Sequence, residues 1–320
     1  MEIRNLIKKI LKEDTEERNL RLYALDWDDN ILGMPTKIYL KDDNDNVVGM
    51  PTDHFAEYRH LIGKEPFEYE GSTIIGFDDT DNPFRDFTHP ETFLTDTLKA
   101  VKTNKFSPSF EKFKETLIYT NPFSIITARG HSPKVLKKGV KLFIDIVLSP
   151  EEKQKMIKNI KDVLNFEEIG GYYKTGDLNN NQLIDVYLDE KGKYYPVSSK
   201  EFGQKAKIDS SKGASSPERN KQLAFRHFIY DVHNKVKKFI KNGKYKSISV
   251  GFSDDDIKNV ESMVGYVEDE LSKEFPEFNF IVIDTSEGGN KKIKITRIDN
   301  EEDSSSLLEH KIIKRILNKL

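Results

Sequence analysis

Short apolar runs alternate with amphipathic helical patterns along most of this 320-residue chain, and that alternation is the strongest restriction on its fold. The runs at 22–25, 123–126, 183–188, 247–252 and 280–283 read as buried strands, being short and rich in apolar, largely β-branched and aromatic residues. Between several of them, residues 132–147, 150–164, 217–240 and 257–275 carry apolar side chains at helical spacing. Strand–helix–strand repetition predicts an α/β fold, Rossmann-like, with a parallel sheet and helices on both faces. Two stretches break the rhythm. Residues 34–116 hold an expected hairpin, "KIYLKDDNDNVVG", followed by aromatic-rich loops and short helices. Residues 189–216 hold "LDEKGKYYPV" and the loop-like "DSSKGASS". Both are expected to be insertions on a compact core, in positions where a cap over a site would lie. The chain is thereby divided into a core of 21–33 and 117–290, an α+β cap insertion of 34–116, and a second insertion, loop or hairpin, of 189–216.

The two ends resemble each other. Ile3, Leu6, Ile7, Ile10 and Leu11 form one helical face, and Leu308, Ile312, Ile313, Ile316, Leu317 and Leu320 form another. They predict an N-terminal amphipathic helix within 1–20 and a C-terminal one within 300–320. Such helices pack on the domain or on each other, or dock on a protein partner or a membrane surface.

Composition narrows the functional class. Charged residues make up 33% of the chain, yet the formal net charge is −3, so no global basic field marks a nucleic-acid binder. The Lys-rich "HNKVKKFIKNGKYK" reads as a solvated helix face rather than a nucleic-acid patch. The absence of cysteine rules out disulfides and thiolate metal sites. No apolar run reaches the length of a membrane span, and the N-terminus lacks a secretory h-region. A soluble cytoplasmic protein is expected.

The stretch "LYALDWDDNIL" places Asp26, Asp28 and Asp29 directly after a strand-like run. Two like charges 4 Å apart repel by about 4 kcal/mol at an effective dielectric near 20. A hard divalent cation would offset that repulsion; an acidic turn facing solvent is the alternative. In an open parallel sheet, ligands bind outside the carboxyl ends of the strands. After 123–126 come Thr127, Ala128 and Arg129, and after 247–252 come Asp254, Asp255 and Asp256. Lys221 lies near the start of the helix expected at 217–240. These are the parts that metal-assisted phosphoryl transfer requires.

With those residues in view, the chain resembles the haloacid dehalogenase-like (HAD) superfamily, whose first motif is hhhD-x-D-x-[TV]-[LI]. Asp26-Trp27-Asp28-Asp29-Asn30-Ile31 matches it at both carboxylates and at the closing aliphatic. Thr127 matches the second motif, Lys221 the third with Lys212 as its rival, and the acidic run 254–256 the fourth. Asn30 departs from the pattern, standing where the family has Thr or Val. The resemblance spans roughly 21–33 and 117–285. It implies a Mg²⁺-dependent phosphatase in which Asp26 forms an aspartyl-phosphate and Asp28 is general acid and base. Thr127 and Lys221 would bind the phosphoryl oxygens, and Arg129 would be a substrate contact or merely a loop cation. Mg²⁺ would be held by Asp26, the backbone carbonyl of Asp28, and one or two of Asp254 and Asp255. The phosphorylated substrate is left unnamed, because the cap would choose it.

Two other functions compete. One is a HAD-fold interaction or assembly protein of low or no activity, suggested by the terminal helices, the insertions and Asn30. The other is a phosphatase acting on nucleic-acid ends. Asp79-Thr80-Asp81 also follows an apolar run but lacks the closing aliphatic, and "DDNDN" reads as a hairpin turn rather than a calcium loop. His54, His89 and His131 show no metal-ligand spacing, and Trp27 is expected to face the core or cap. "GMPT" occurs twice, the second time followed by Asp53, too short a repeat to build on.

Overall fold

The computed structural model describes residues 18–166, 175–206, 216–241 and 245–295. The expected terminal helical faces and Lys212 lie outside the described residues. The end of the N-terminal segment is strand, not helix, because β1 runs over Arg18–Leu25.

Six strands form the main sheet in the order β10-β9-β8-β1-β6-β7, where β6 is Phe123–Thr127, β7 Gly192–Pro196, β8 Tyr245–Asp254, β9 Phe278–Asp284 and β10 Lys291–Ile295. All neighbours are parallel except β10, which closes the edge antiparallel to β9 and carries the core past residue 290. The fold is therefore α/β with a mixed, mostly parallel sheet. Central strands covered on both faces are mostly apolar, and β6 is buried at every position, its Ser124 and Thr127 included.

Alternate side chains of β1 feed two cores. Leu20, Leu22 and Ala24 join one face, Tyr23 and Leu25 the other. The Leu25 face carries α2 (Pro90–Lys102), α3 (Phe110–Ile118), α4 (Pro133–Val147), α5 (Pro150–Phe166) and α6 (Asn180–Glu190). The Leu22 face carries α7 (Lys200–Lys205), α8 (Pro217–Lys241) and α9 (Ile257–Tyr266). The single helix expected at 257–275 ends at Tyr266 and continues as a π-turn, Val267–Leu271, and one short turn, Ser272–Glu274.

Two expectations need correction. The run at 183–188 is helix α6, not a strand. Leu183, Ile184, Tyr187 and Leu188 are buried at helical spacing, and Asn179 and Gln182 close a reciprocal capping box at its start. The strand of this crossover is β7, which lies inside the segment read as a second insertion and pairs in parallel with β6. A Cβ on Gly192 would lie 2.6 Å from the Leu188 carbonyl oxygen, so glycine permits the direct turn from α6 into β7.

The cap is also smaller than 34–116. A four-stranded antiparallel sheet, β3-β2-β5-β4, is built from Lys37–Asp42 (β2), Val47–Pro51 (β3), Phe67–Tyr69 (β4) and Ser72–Phe77 (β5). With α1 (Thr52–Tyr58) beside it, it has its own small core around Ile38, Leu40, Met50 and Ile74. Helices α2 and α3 belong instead to the main layer, because Phe93, Phe110 and Phe113 pack with Trp27 and Leu25. The β2–β3 connection is the hairpin turn expected of "DDNDN": Asp42 accepts from the backbone N–H groups of Asn44 and Asn46. No helix among the described residues is long and apolar enough to cross a membrane.

Candidate active site

From β1 the sheet grows through β6 and β7 on one side, then resumes with β8 and β9 on the other. The strand order thus reverses at β1 and β8, and a crevice opens beyond their carboxyl ends. Asp26 follows β1 there, and its N–H donates to the Ser253 carbonyl of β8 at 3.0 Å. The chain then folds into a tight loop, with Asn30 N–H on the Asp28 carbonyl (2.6 Å) and Ile31 N–H on that of Trp27 (3.1 Å). Asp29 takes the left-handed conformation (φ 53°), which a short polar side chain tolerates. Trp27 turns away into the core against Phe93, Phe113 and Phe143.

Asn30, the departure from the family pattern, ties this loop to both neighbouring strands. Its Nδ2 donates to the carbonyls of Asp26 (3.2 Å) and Ser253 (3.0 Å). Its Oδ1 accepts from the hydroxyls of Ser253 and Thr285, each at 3.0 Å. The amide is wholly buried among these partners, and the single Thr285 hydroxyl proton is shared between Asn30 Oδ1 and the Asp254 carbonyl at 2.9 Å.

Lys221 approaches from α8, anchored by the buried Ala224, Phe225, Phe228 and Ile229. Its Nζ donates to Asp26 Oδ2 and to Asp254 Oδ2, both at 2.7 Å. The other oxygen of Asp26 accepts from Trp27 N–H, and Asp254 Oδ1 accepts from Asn259 Nδ2 and Asp256 N–H. Burial alone would lower the Lys221 pKa, but Asp254 and Asp26 together hold it above the ordinary value, so the ammonium is retained. Burial pushes Asp26 up to about 7 against the pull of Lys221, with Asp254 and Asp28 adding to the rise. Asp255 is raised well above the usual carboxylate range by burial, then by Asp254 and Asp26. One lysine is shared among more carboxylates than it can neutralise.

Ligand oxygens of Asp26, Asp254 and Asp255 all lie within 4.8 Å of one another. The donor set is oxygen only and carries excess negative charge, which suits a hard divalent cation. The Asp28 side chain is not part of this cluster. Arg129 grips it with Nε on Oδ2 (2.9 Å) and Nη2 on Oδ1 (2.5 Å), and the Thr127 hydroxyl donates to Oδ2 at 3.2 Å. The Asp28 carbonyl, expected to face the metal, accepts from Asn30 N–H and keeps a second lone pair.

Arg129, expected as a substrate contact or a loop cation, is held inside the protein on Asp28. It is wholly buried, its guanidinium lies over Phe87 and Phe93, and it also donates to the Thr36 hydroxyl at 2.6 Å. It thereby fixes the orientation of the Asp28 carboxylate through both oxygens. Asp256 caps α9 and accepts from Arg59 of the cap at 3.1 Å.

Several site residues escaped sequence reasoning. Thr36 and Thr52 close the two "GMPT" copies. Thr36 donates to Asp96 and accepts from Arg129, and Thr52 donates to Asp29 at 2.5 Å. The repeat was the available signal. Burial raises Asp29 to about 6, with the Thr52 hydrogen bond working against the rise. The acidic run at 79–81 forms no second site: the neighbouring Asp78 is buried on Arg85 (2.8 Å) and closes a turn with Thr80. His131 donates from Nε2 to the His89 carbonyl and leaves Nδ1 buried without a partner.

Above the acids lies a cavity of about 610 Å³, floored by Asp26, Asp28, Asp255, Thr127 and Lys221 and roofed by the cap. Its size is that of a small-molecule site. No family model, curated protein or solved structure matches the chain.

Proposed function

We propose that this protein is a Mg²⁺-dependent phosphohydrolase of the HAD-like kind, acting through Asp26. One observation carries the reading: Lys221 bridges Asp26 and Asp254 beside Asp255, at the switch point of the sheet and the floor of the cavity. Thr127 and Asp28 lie on the same floor, so the four motif positions quoted from the sequence converge.

In this reading a carboxylate oxygen of Asp26 attacks phosphorus, the ester P–O bond breaks, and the leaving oxygen takes a proton from the protonated Asp28 carboxyl. Water then attacks the aspartyl-phosphate, releasing inorganic phosphate and restoring Asp26. Asp28, on the cavity floor, takes the proton of that water. Donating a proton to the leaving oxygen requires its ion pair with Arg129 to loosen. Lys221 counters negative charge at the phosphoryl oxygens, and the Thr127 hydroxyl, now on Asp28, can swing to one of them. Asp26, Asp254 and Asp255, with the free lone pair of the Asp28 carbonyl, would hold Mg²⁺, which supplies positive charge against the transferring group.

The test is turnover of a broad phosphate-ester panel by the purified full-length protein, abolished by chelator and restored by Mg²⁺. Mg²⁺ should also raise the melting temperature, and Asp254→Asn should shrink that rise. If no ester is hydrolysed and Mg²⁺ gives no such shift, the enzyme reading is wrong, and a HAD-fold interaction protein takes its place.

A further inference from the structure

We infer that the cavity selects a phosphate monoester with a single anionic group and a planar aromatic or heteroaromatic ring in its leaving alcohol. The inference rests on the phosphohydrolase reading of the same site and adds its substrate class.

The roof of the cavity carries a wall of aromatic side chains, flanked by Thr52, Asn82 and Thr88. Phe55 of α1 meets Phe84 edge-to-face with ring centroids 5.9 Å apart, and Phe84 meets Phe87 in the same way at 6.2 Å. Ile38 of β2 completes this wall. Phe55, Phe84 and Phe87 are only half-buried, so their remaining ring surface lies open to the cavity that holds the acids. A flat ring above the phosphate would cover that surface, with each aromatic contact worth up to about tenfold in affinity. A polyol in the same place would set hydroxyls against phenyl rings that cannot pair with them.

Charge sets the second half of the specificity. Among the described residues that line the cavity the cations are Lys221 and Arg59. Lys221 is shared by Asp26 and Asp254, and Arg59 is paired with Asp256. A phosphoryl group over Asp26 can use Lys221. A second phosphate or a carboxylate further out would face Asp29 and the already neutralised Arg59–Asp256 pair, with no unpaired cation among the described lining residues to receive it.

Matched substrate pairs test this with the full-length protein and Mg²⁺. A purine nucleoside 5′-monophosphate and ribose 5-phosphate both leave through a ribose 5-oxygen, and only the first leaving alcohol carries a base. Benzyl phosphate and cyclohexylmethyl phosphate differ in the planarity of the ring. We expect kcat/KM at least about tenfold higher for the aromatic member of one pair or both, the pair that responds showing whether nucleotide or simple aryl groups are preferred. The nucleoside diphosphate should be at least about tenfold poorer than the monophosphate. Phe55→Leu and Phe84→Leu should each shrink the aromatic-to-aliphatic ratio several-fold, with circular dichroism reporting that the cap stays folded. Benzylphosphonate, which cannot be hydrolysed, should also bind more tightly than cyclohexylmethylphosphonate. Equal rates within both pairs, or a preference that survives both substitutions in folded protein, would overturn the substrate class while leaving the phosphohydrolase reading intact. Tight benzylphosphonate binding without turnover of any ester would keep the ligand class and remove hydrolysis. Neither turnover nor phosphonate binding would end both.

Discussion

At the residue scale, Asn30 has a larger role than the Thr or Val it replaces in the resembled motif could fill, because neither offers two donors and two acceptors. Its amide joins the Asp26 loop to Ser253 and Thr285. Asn30→Val should cost about 1–3 kcal/mol, read from the urea midpoint, because buried carbonyls and hydroxyls lose their partner. Asn30→Asp should be worse, since a carboxylate would face two carbonyl oxygens. The acids of the floor should separate by role. Asp26→Asn should abolish turnover with the fold retained. Asp28→Asn should lower kcat by about 10²–10⁴-fold. Asp254→Asn should act mainly on Mg²⁺ affinity and be partly rescued by more Mg²⁺. His131 supplies a pH signature away from the floor. Burial chiefly depresses its pKa to about 4, Arg129 adding to the fall while the His89 carbonyl opposes it. The unfolded chain therefore binds the extra proton between about pH 6.5 and 4. The stability from keeping this ring neutral is complete above pH 6.5 and is lost as pH falls towards 4, by up to roughly 3 kcal/mol. His131→Gln, which can still donate to the carbonyl, should flatten that part of the stability–pH curve.

At the scale of elements, α8 is the part that makes the acid cluster tolerable, because its apolar face fixes where the ammonium of Lys221 points. Lys221→Met should remove turnover and destabilise the fold by about 3–5 kcal/mol near neutral pH, as expected when a buried ion pair loses one partner. The loss should shrink as pH falls towards 5, because the Asp26 pKa is already raised and would rise further without the lysine. Denaturation at a series of pH values, with and without Mg²⁺, would measure it. The acidic loop, Thr127 and Lys221 were legible in the sequence because each sits at the end of a strongly patterned element. Element type was less legible where a run was short: six apolar-leaning residues at 183–188 fit a strand by length, and the Asn179–Gln182 capping box, with the spacing of Leu183, Ile184, Tyr187 and Leu188, speaks for α6. The cap boundary was hidden because no change of pattern marks where the cap ends, whereas in the fold Phe93 of α2 and Phe113 of α3 pack against Trp27. The Arg129–Asp28 pair joins residues 101 apart, and no local pattern encodes such a pairing.

At the scale of the molecule, the cap reaches the core through Arg59 and Asp256, which join α1 to the start of α9. The pair is partly exposed, so its contribution to global stability should be about 1 kcal/mol or less. Its effect should be on cap closure. Arg59→Ala should speed amide hydrogen exchange in α1 while leaving β6 and β8 protected, and unchanged exchange in α1 would show that other contacts hold the cap. The Asn30 network has a different reach. It draws together segments separated by 223 and 255 residues. Contacts of that span form late, after most of the loop-closure entropy has been met. During synthesis, a chain that has emerged only as far as β7 would hold Asp26 and Thr127 but neither Lys221 nor the strands that steady the loop. The acids would then lie in open water, each free to keep its own charge. Catalytic competence should therefore appear abruptly, when β8 and β9 dock, rather than grow with chain length. Nascent chains arrested before residue 245 should be inert however well their first strands have folded.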